Sequence, residues 1–226
     1  MLARHKSARG FTLIELMVAI SILAMIAVLS WRGLDGMMRA QQMTQARADQ
    51  VLSVQAGLGQ WRADLDALIQ QPGIAPLDWD GRVLRMTRRS LSAPGAGMLV
   101  VGWAQRVVDG QTQWVRWQSP PLRTRSDLQS GLVRVSAWAR NPSDEEKARE
   151  IAVLPVTEWQ IFYFRGNAWT SALSSEGSTV AAGNAVAADI APPEGVRILL
   201  TLPPNHPLGG ILTLDWNRPT LSGGKS

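Results

Sequence analysis

Few side chains in this chain are equipped for chemistry, and they are best taken first. There are two histidines, His5 and His206, and no cysteine. Thiolate nucleophiles, thiolate metal sites and disulfides are therefore excluded together. Two lone histidines do not make a zinc ligand set, and no Gly-x-Ser-x-Gly, His-Glu-x-x-His or P-loop spacing occurs. His206 lies in Pro203-Pro204-Asn205-His206-Pro207, which reads as a rigid surface loop with no partner to make the imidazole a general base. Asp78-Trp79-Asp80-Gly81 reads as a turn, because calcium needs about six to eight oxygen ligands and the other acids are missing. Arg82, Arg85, Arg88 and Arg89 lie near tryptophans and read as a solvated edge or subunit interface rather than a nucleic-acid groove. No catalytic residue, cofactor, metal or nucleic-acid partner is expected. The residue that stands out is Glu15, the only charge in the 20-residue apolar run Phe11 to Ser30. A carboxylate inside such a run opposes membrane insertion, so it calls for a function and a named partner.

The run has the length of a membrane-spanning helix. Arg4, Lys6 and Arg9 precede it, an arrangement that leaves the N-terminus on the cytoplasmic side and everything after Trp31 outside. Lys and Arg total 23 against 18 Asp and Glu, a formal charge of +5. Three of those charges belong to the first ten residues, so the basic balance says more about targeting than about a nucleic-acid partner. Ala19-Ile20-Ser21 offers a small-x-small site for an ordinary signal peptidase, but Glu15 argues against a plain signal peptide and is unexplained in a plain anchor.

The segment Gly10-Phe11-Thr12-Leu13-Ile14-Glu15-Leu16 resembles the processing signal of type IV prepilins: a short basic leader, Gly before the cut, Phe as the new N-terminus and Glu five residues in. The resemblance implies cleavage between Gly10 and Phe11 by a membrane prepilin peptidase, N-methylation of Phe11 by the same enzyme, and assembly into a filament. Glu15 of one subunit would then pair with the liberated Phe11 amine of a neighbour, since an uncompensated acid in an apolar bundle is unfavourable.

The elements around this segment follow from periodicity. Val51, Val54, Leu58, Trp61, Leu65 and Leu68 recur at spacings of three and four, which predicts that the helix continues with one apolar face as far as Gln71, before Pro72-Gly73. Gly33 and Gly36 mark a weak point just past the apolar run. Strands are predicted at 98–108 and 111–118 around Asp109-Gly110, at 132–139, at 157–164 and 168–172 around Gly166-Asn167, and at 196–202 and 211–216. Ser143 with Glu146 forms a capping box for a short helix, Ser174 to Gly195 reads as a long loop, and most of the ten tryptophans are suited to filling a sheet core.

The expected organisation is a leader at 1–10, a transmembrane helix at 11–30, its periplasmic continuation at 31–71, a β-rich domain at 72–218 and a flexible tail at 219–226. The fold class is α+β, a long N-terminal helix packed on antiparallel sheets. The hairpin with Trp114 and Trp117, the run Thr157 to Phe164 before a turn and Trp169, and the final strand Pro193 to Leu202 resemble the J-type minor pseudopilins of type II secretion systems. That resemblance implies a non-enzymatic subunit near the tip of a periplasmic pseudopilus, anchored in the bacterial inner membrane. Its implied partners are the I-type and K-type minor pseudopilins, the major pseudopilin, the prepilin peptidase, the inner-membrane assembly platform and the exported proteins themselves. A minor pilin of a type IV pilus and a membrane-anchored periplasmic binding domain are the competing readings.

Overall fold

A computed structural model describes residues 10–90, 95, 97–174 and 192–219. The leader residues Arg4, His5, Lys6 and Arg9, most of the Ser174 to Gly195 loop and nearly all of the expected tail lie outside the described residues. The chain divides into two compact units, one ending at Asp49 and one starting at Gln50. The architecture is α+β: one long helix followed by two antiparallel sheets.

Helix α1 spans Leu13–Asp66, 54 residues without interruption at Gly33 or Gly36. In the first unit its side chains are almost all exposed, including the whole apolar run. In the second unit the face foreseen from spacing is the packed one, with Val54, Trp61 and Leu65 buried and Leu58 and Leu68 partly so. The helix ends at Asp66, five residues before the position that Pro72-Gly73 suggested. The reason is tertiary: the Ile69 N–H donates to the Thr87 carbonyl at 3.0 Å and the Arg89 N–H to the Ala67 carbonyl at 2.9 Å, so the chain leaves the helix to pair with a strand.

The first sheet has five strands in sequence order, β1 (Leu77–Trp79), β2 (Val83–Arg89), β3 (Met98–Val108), β4 (Gln111–Gln118) and β5 (Glu150–Pro155). The β3–β4 hairpin turns at Asp109 and Gly110 with φ of 49° and 75°, the doubly left-handed turn that matches the twist of paired strands. The Asp80 carboxylate accepts from the N–H groups of Arg82 and Val83, both at 2.9 Å, and so holds the β1–β2 turn. Strands β1, β2 and β5 were not foreseen. The second sheet has the order β7-β6-β8-β9, from β6 (Glu158–Arg165), β7 (Ala168–Ser171), β8 (Gly195–Leu202) and β9 (Gly210–Asn217). These four match the sequence expectation to within about two residues at their ends.

The segment 132–139, expected as a strand, is instead the second half of α2 (Arg125–Arg140). The correction has a local and a tertiary cause. Thr124 accepts from the Asp127 N–H at 3.1 Å while the Asp127 carboxylate accepts from the Thr124 N–H at 3.0 Å, a reciprocal cap that starts a helix. Leu128, Gly131, Val135 and Trp138 then fall at helical spacing and are buried against the first sheet. Gly102 of β3 makes room for them: a Cβ there would come within 2.2 Å of Val135 Cγ2. The foreseen capping box at Ser143 and Glu146 does form, opening the short α3 (Asp144–Lys147).

Two apolar clusters result. One gathers α1 residues with the inner faces of both sheets and is rich in indoles: Trp103 and Trp114 lie 4.1 Å apart by ring centroids, Trp61 lies 5.6 and 5.5 Å from them, and Trp79 meets Trp159 at 4.6 Å. The other lies between α2 and the opposite face of the first sheet, where Trp117 stacks near Trp138 at 6.1 Å.

Candidate functional site

The site singled out by sequence is the start of α1. Gly10 is exposed and non-helical, with nothing within 4 Å of where a Cβ would stand, so the backbone on its C-terminal side is open. Phe11 is 89% exposed. Helix begins two residues later, and Thr12 supplies its cap. The Thr12 N–H donates to Glu15 Oε2 at 2.9 Å, the Thr12 hydroxyl donates to the same oxygen at 2.8 Å, and the Glu15 N–H donates to Thr12 Oγ1 at 3.4 Å. This is the Thr-x-x-Glu arrangement in which side chain and backbone satisfy one another at a helix start, and the carboxylate also sits where the helix dipole favours negative charge. Thr12 was missed by the sequence reading, although the Thr12-Leu13-Ile14-Glu15 spacing carries the signal.

Glu15 therefore has hydrogen-bond donors within its own chain. What the cap leaves open is the face around it. Phe11, Ile14, Val18, Ala19 and Ile22 share a shallow apolar concavity with Glu15, and the apolar side chains that follow, from Leu23 to Trp31, are more than half exposed. A helix that is apolar all round and unpacked is suited to lipid or to other helices, and α1 is long and apolar enough to cross a membrane. Residues 5–31 match the family described as the prokaryotic N-terminal methylation motif. The N-terminus is prepilin-like. The match covers Lys6 and Arg9 of the basic leader, Gly10, Phe11, Glu15 and the apolar run, and supports a pilin or pseudopilin role with methylation and membrane anchoring as its expected attributes.

The remaining candidates are placed differently from the sequence expectation. The loop at 203–207 lies at the surface, with Pro204, Asn205 and Pro207 exposed, but the His206 side chain itself is buried. Its Nδ1 accepts from the Leu208 N–H at 3.1 Å, and its Nε2 has no partner among the described residues. It borders a cleft of about 420 Å³ with Gln50, Gln111, Thr157 and Asn205, which holds no charged side chain. The arginines of β2 do not form one surface. Arg85 pairs with Asp78 and Asp80 and donates to Ser136 of α2 at 2.7 Å. Arg88 is buried on the opposite face of the strand against Asp64, and only Arg82 and Arg89 are exposed.

Asp64 is the centre of a polar cluster that sequence reasoning did not find. It is fully buried on α1 and receives Arg88 from β2, the indole N–H of Trp103 from β3 at 2.9 Å, and Arg116 from β4 in a fork at 2.7 and 2.9 Å. Gln60, one turn earlier, donates to it at 3.0 Å. The signal was present: Asp64 falls on the apolar face between Trp61 and Leu65, and Arg116 lies between Trp114 and Trp117 in a buried strand. A buried acid in such a stripe needs cations or donors near it.

Among the outer carboxylates, hydrogen bonds hold the Asp215 group below its usual range through Arg197, that of Glu145 through Arg134, and that of Asp127 through Thr124. Burial pushes the Tyr163 hydroxyl well above its usual range.

Proposed function

We propose that this chain is a minor pseudopilin, a structural subunit near the tip of the periplasmic pseudopilus of a type II secretion system. The observation that carries the proposal is the methylation motif at residues 5–31, set at the start of a helix whose apolar run from Leu13 to Leu29 is exposed throughout. The α+β unit that follows, and the tryptophan and hairpin pattern that resembles J-type pseudopilins, support the finer assignment. So does the lack of cysteine, since the C-terminal disulfide loop common among type IV minor pilins is impossible here.

In this reading cleavage after Gly10 removes the basic leader and frees the Phe11 amine. The Glu15 carboxylate, held at the helix start by Thr12, then exchanges its local donors for the ammonium of a neighbouring chain. That exchange takes place in an apolar helix bundle, where a charge pair is far stronger than in water. The chain performs no catalysis: it joins the other minor pseudopilins and the major pseudopilin, supports initiation of the filament, and takes its driving energy from a cytoplasmic ATPase.

Intact mass and N-terminal sequencing of the membrane-extracted protein test the processing step. A start at N-methyl-Phe11 is expected, and a start at Met1 or near Ile22 would reject the reading. Glu15→Gln tests assembly, with a fall of more than about tenfold in filament yield and secretion expected if an intramembrane acid is functional. Unchanged secretion would point to a merely anchored domain. Neighbouring genes for a secretin and the other pseudopilins separate this function from that of a type IV pilus, which retraction genes would indicate.

A further inference from the structure

A filament subunit makes no use of the cleft of about 420 Å³ beside His206, which is lined by residues of the second unit alone. Gln50, Gln111 and Asn205 bring three side-chain amides to it, and Thr112 and Thr157 bring two hydroxyls, all five residues being exposed. Pro155 and Pro203 supply apolar ring surface. Among the described residues no charged side chain and no Phe, Tyr or Trp lines it.

The wall that carries His206 is fixed from within. The His206 N–H donates to the Pro203 carbonyl at 2.9 Å, and the Gly209 N–H donates to the His206 carbonyl at 2.8 Å. Gly209 is packed so closely that a Cβ there would stand 3.1 to 3.2 Å from the carbonyl oxygens of Pro203, Pro204 and His206. The imidazole is held as well, because its Nδ1 accepts from the Leu208 N–H. A ring nitrogen that accepts carries no proton, so the proton of His206 lies on Nε2. His206 is only 7% exposed, and its Nε2 has no acceptor among the described residues. A buried donor without an acceptor is unfavourable, and the cleft is where one can arrive.

The lining sets the class of ligand. An ionised ligand would leave water for a site with no opposite charge, which is costly. An extended peptide is held through its main chain, but the backbone donors here are already occupied. The Val156 N–H donates to the Thr112 carbonyl at 3.1 Å and the Thr157 N–H to the Thr201 carbonyl at 2.8 Å, and those of His206, Leu208 and Gly209 bond within their own loop. Side-chain amides and hydroxyls remain, able both to donate and to accept, around two proline rings. That set matches a compact neutral body ringed by hydroxyl groups, with C–H faces between them.

We infer that this cleft is a binding site for a neutral saccharide, whose oxygens supply the acceptor that His206 Nε2–H lacks and bond to the amides of Gln111 and Asn205. Its volume falls in the range of about 300 to 1,000 Å³ usual for small-ligand sites.

Histidine NMR reads the site directly, because His206 is the only histidine apart from His5 in the leader. The full chain carrying His5→Gln, labelled with nitrogen-15 histidine in phosphocholine micelles that have no sugar headgroup, is titrated with maltose and with chitobiose. The free chain is expected to show the proton on Nε2. At least one of the two sugars is expected to move the Nε2 signal saturably below about 10 mM, tenfold above a millimolar Kd. Asn205→Leu and Gln111→Leu should each weaken binding about three- to tenfold, the loss expected for one hydrogen bond. Gln160→Leu, at an exposed amide on β6 outside the cleft, should leave binding unchanged, with thermal melts confirming that all three variants are folded. A proton on Nδ1, no saturable shift with either sugar, or an equal loss at Gln160 would overturn the proposal. Tighter binding of N-acetyl-trialanine amide than of either sugar would overturn the assignment to a saccharide.

Discussion

One helix carries two acids in opposite circumstances. Glu15 stands near the start of α1, fully open, and is satisfied by the hydroxyl and N–H of a residue three positions away. Asp64 stands near the end, fully buried, and is satisfied by groups 24, 39 and 52 residues distant in sequence on three strands. The first can change partners at little loss, because its local cap is replaceable by any better donor that arrives. The second cannot, because its partners are themselves buried and have no water to fall back on. An acid meant for assembly and an acid meant for a fixed fold are thus told apart by the reach of their donors.

The largest effect should come from breaking the fixed one. Asp64→Ala leaves two buried guanidinium groups facing each other across an apolar core, and loss of one partner from such a cluster costs about 3 to 5 kcal/mol. Chemical denaturation of the full chain in detergent is expected to show that loss, or to show a second unit that no longer folds. A loss under about 1 kcal/mol would mean that water reaches the cluster and that the contrast drawn here is false.

A smaller effect is expected from pH. The Asp215 carboxyl is held below its usual range by Arg197, and that of Glu145 by Arg134. Such groups add stability above the ordinary carboxylate range and lose it as pH falls through their lowered values. Both pairs are open to solvent and screened by it, so the melting temperature should drop only gently as pH is lowered from about 5 to 3. A steep cooperative collapse above pH 4 would assign the acid sensitivity to buried groups instead. The smallest effect belongs to Glu15→Gln, which should leave the melting of the second unit unchanged even as filament yield falls. A matching loss of thermal stability would erase the distinction between the two acids.

The sequence made local features legible and distant ones obscure. The Asp109-Gly110 and Gly166-Asn167 turns announce their hairpins because the backbone requirement lies in the two residues themselves. The packed face of α1 from Val54 to Leu65 follows from spacing alone. The segment 132–139 misled because Leu132-Val133-Arg134-Val135-Ser136 nearly alternates and is rich in β-branched residues. The helical reading needs Leu128 and Gly131 upstream and the Thr124 cap, which fix the period over a longer window. β2 was hidden by its three arginines and threonine: Arg88 looks like a surface residue until Asp64 is brought to it from the helix. At the N-terminus, Gly10, Phe11 and Glu15 are recognisable by offset, whereas the role of Thr12 becomes legible only once the helix is seen to start at Leu13 and the Thr12–Glu15 bonds close its first turn.

The cluster around Asp64 also dictates how the molecule can be divided. Without the helical residues that carry Asp64, strands β2 and β4 would present Arg88 and Arg116 to an interior lined by indoles. A soluble fragment that starts at the first strand discards the only counter-charge those arginines have among the described residues. One that retains the chain from Gln50 onward keeps it, and with it the chance of an independently folding sample for study.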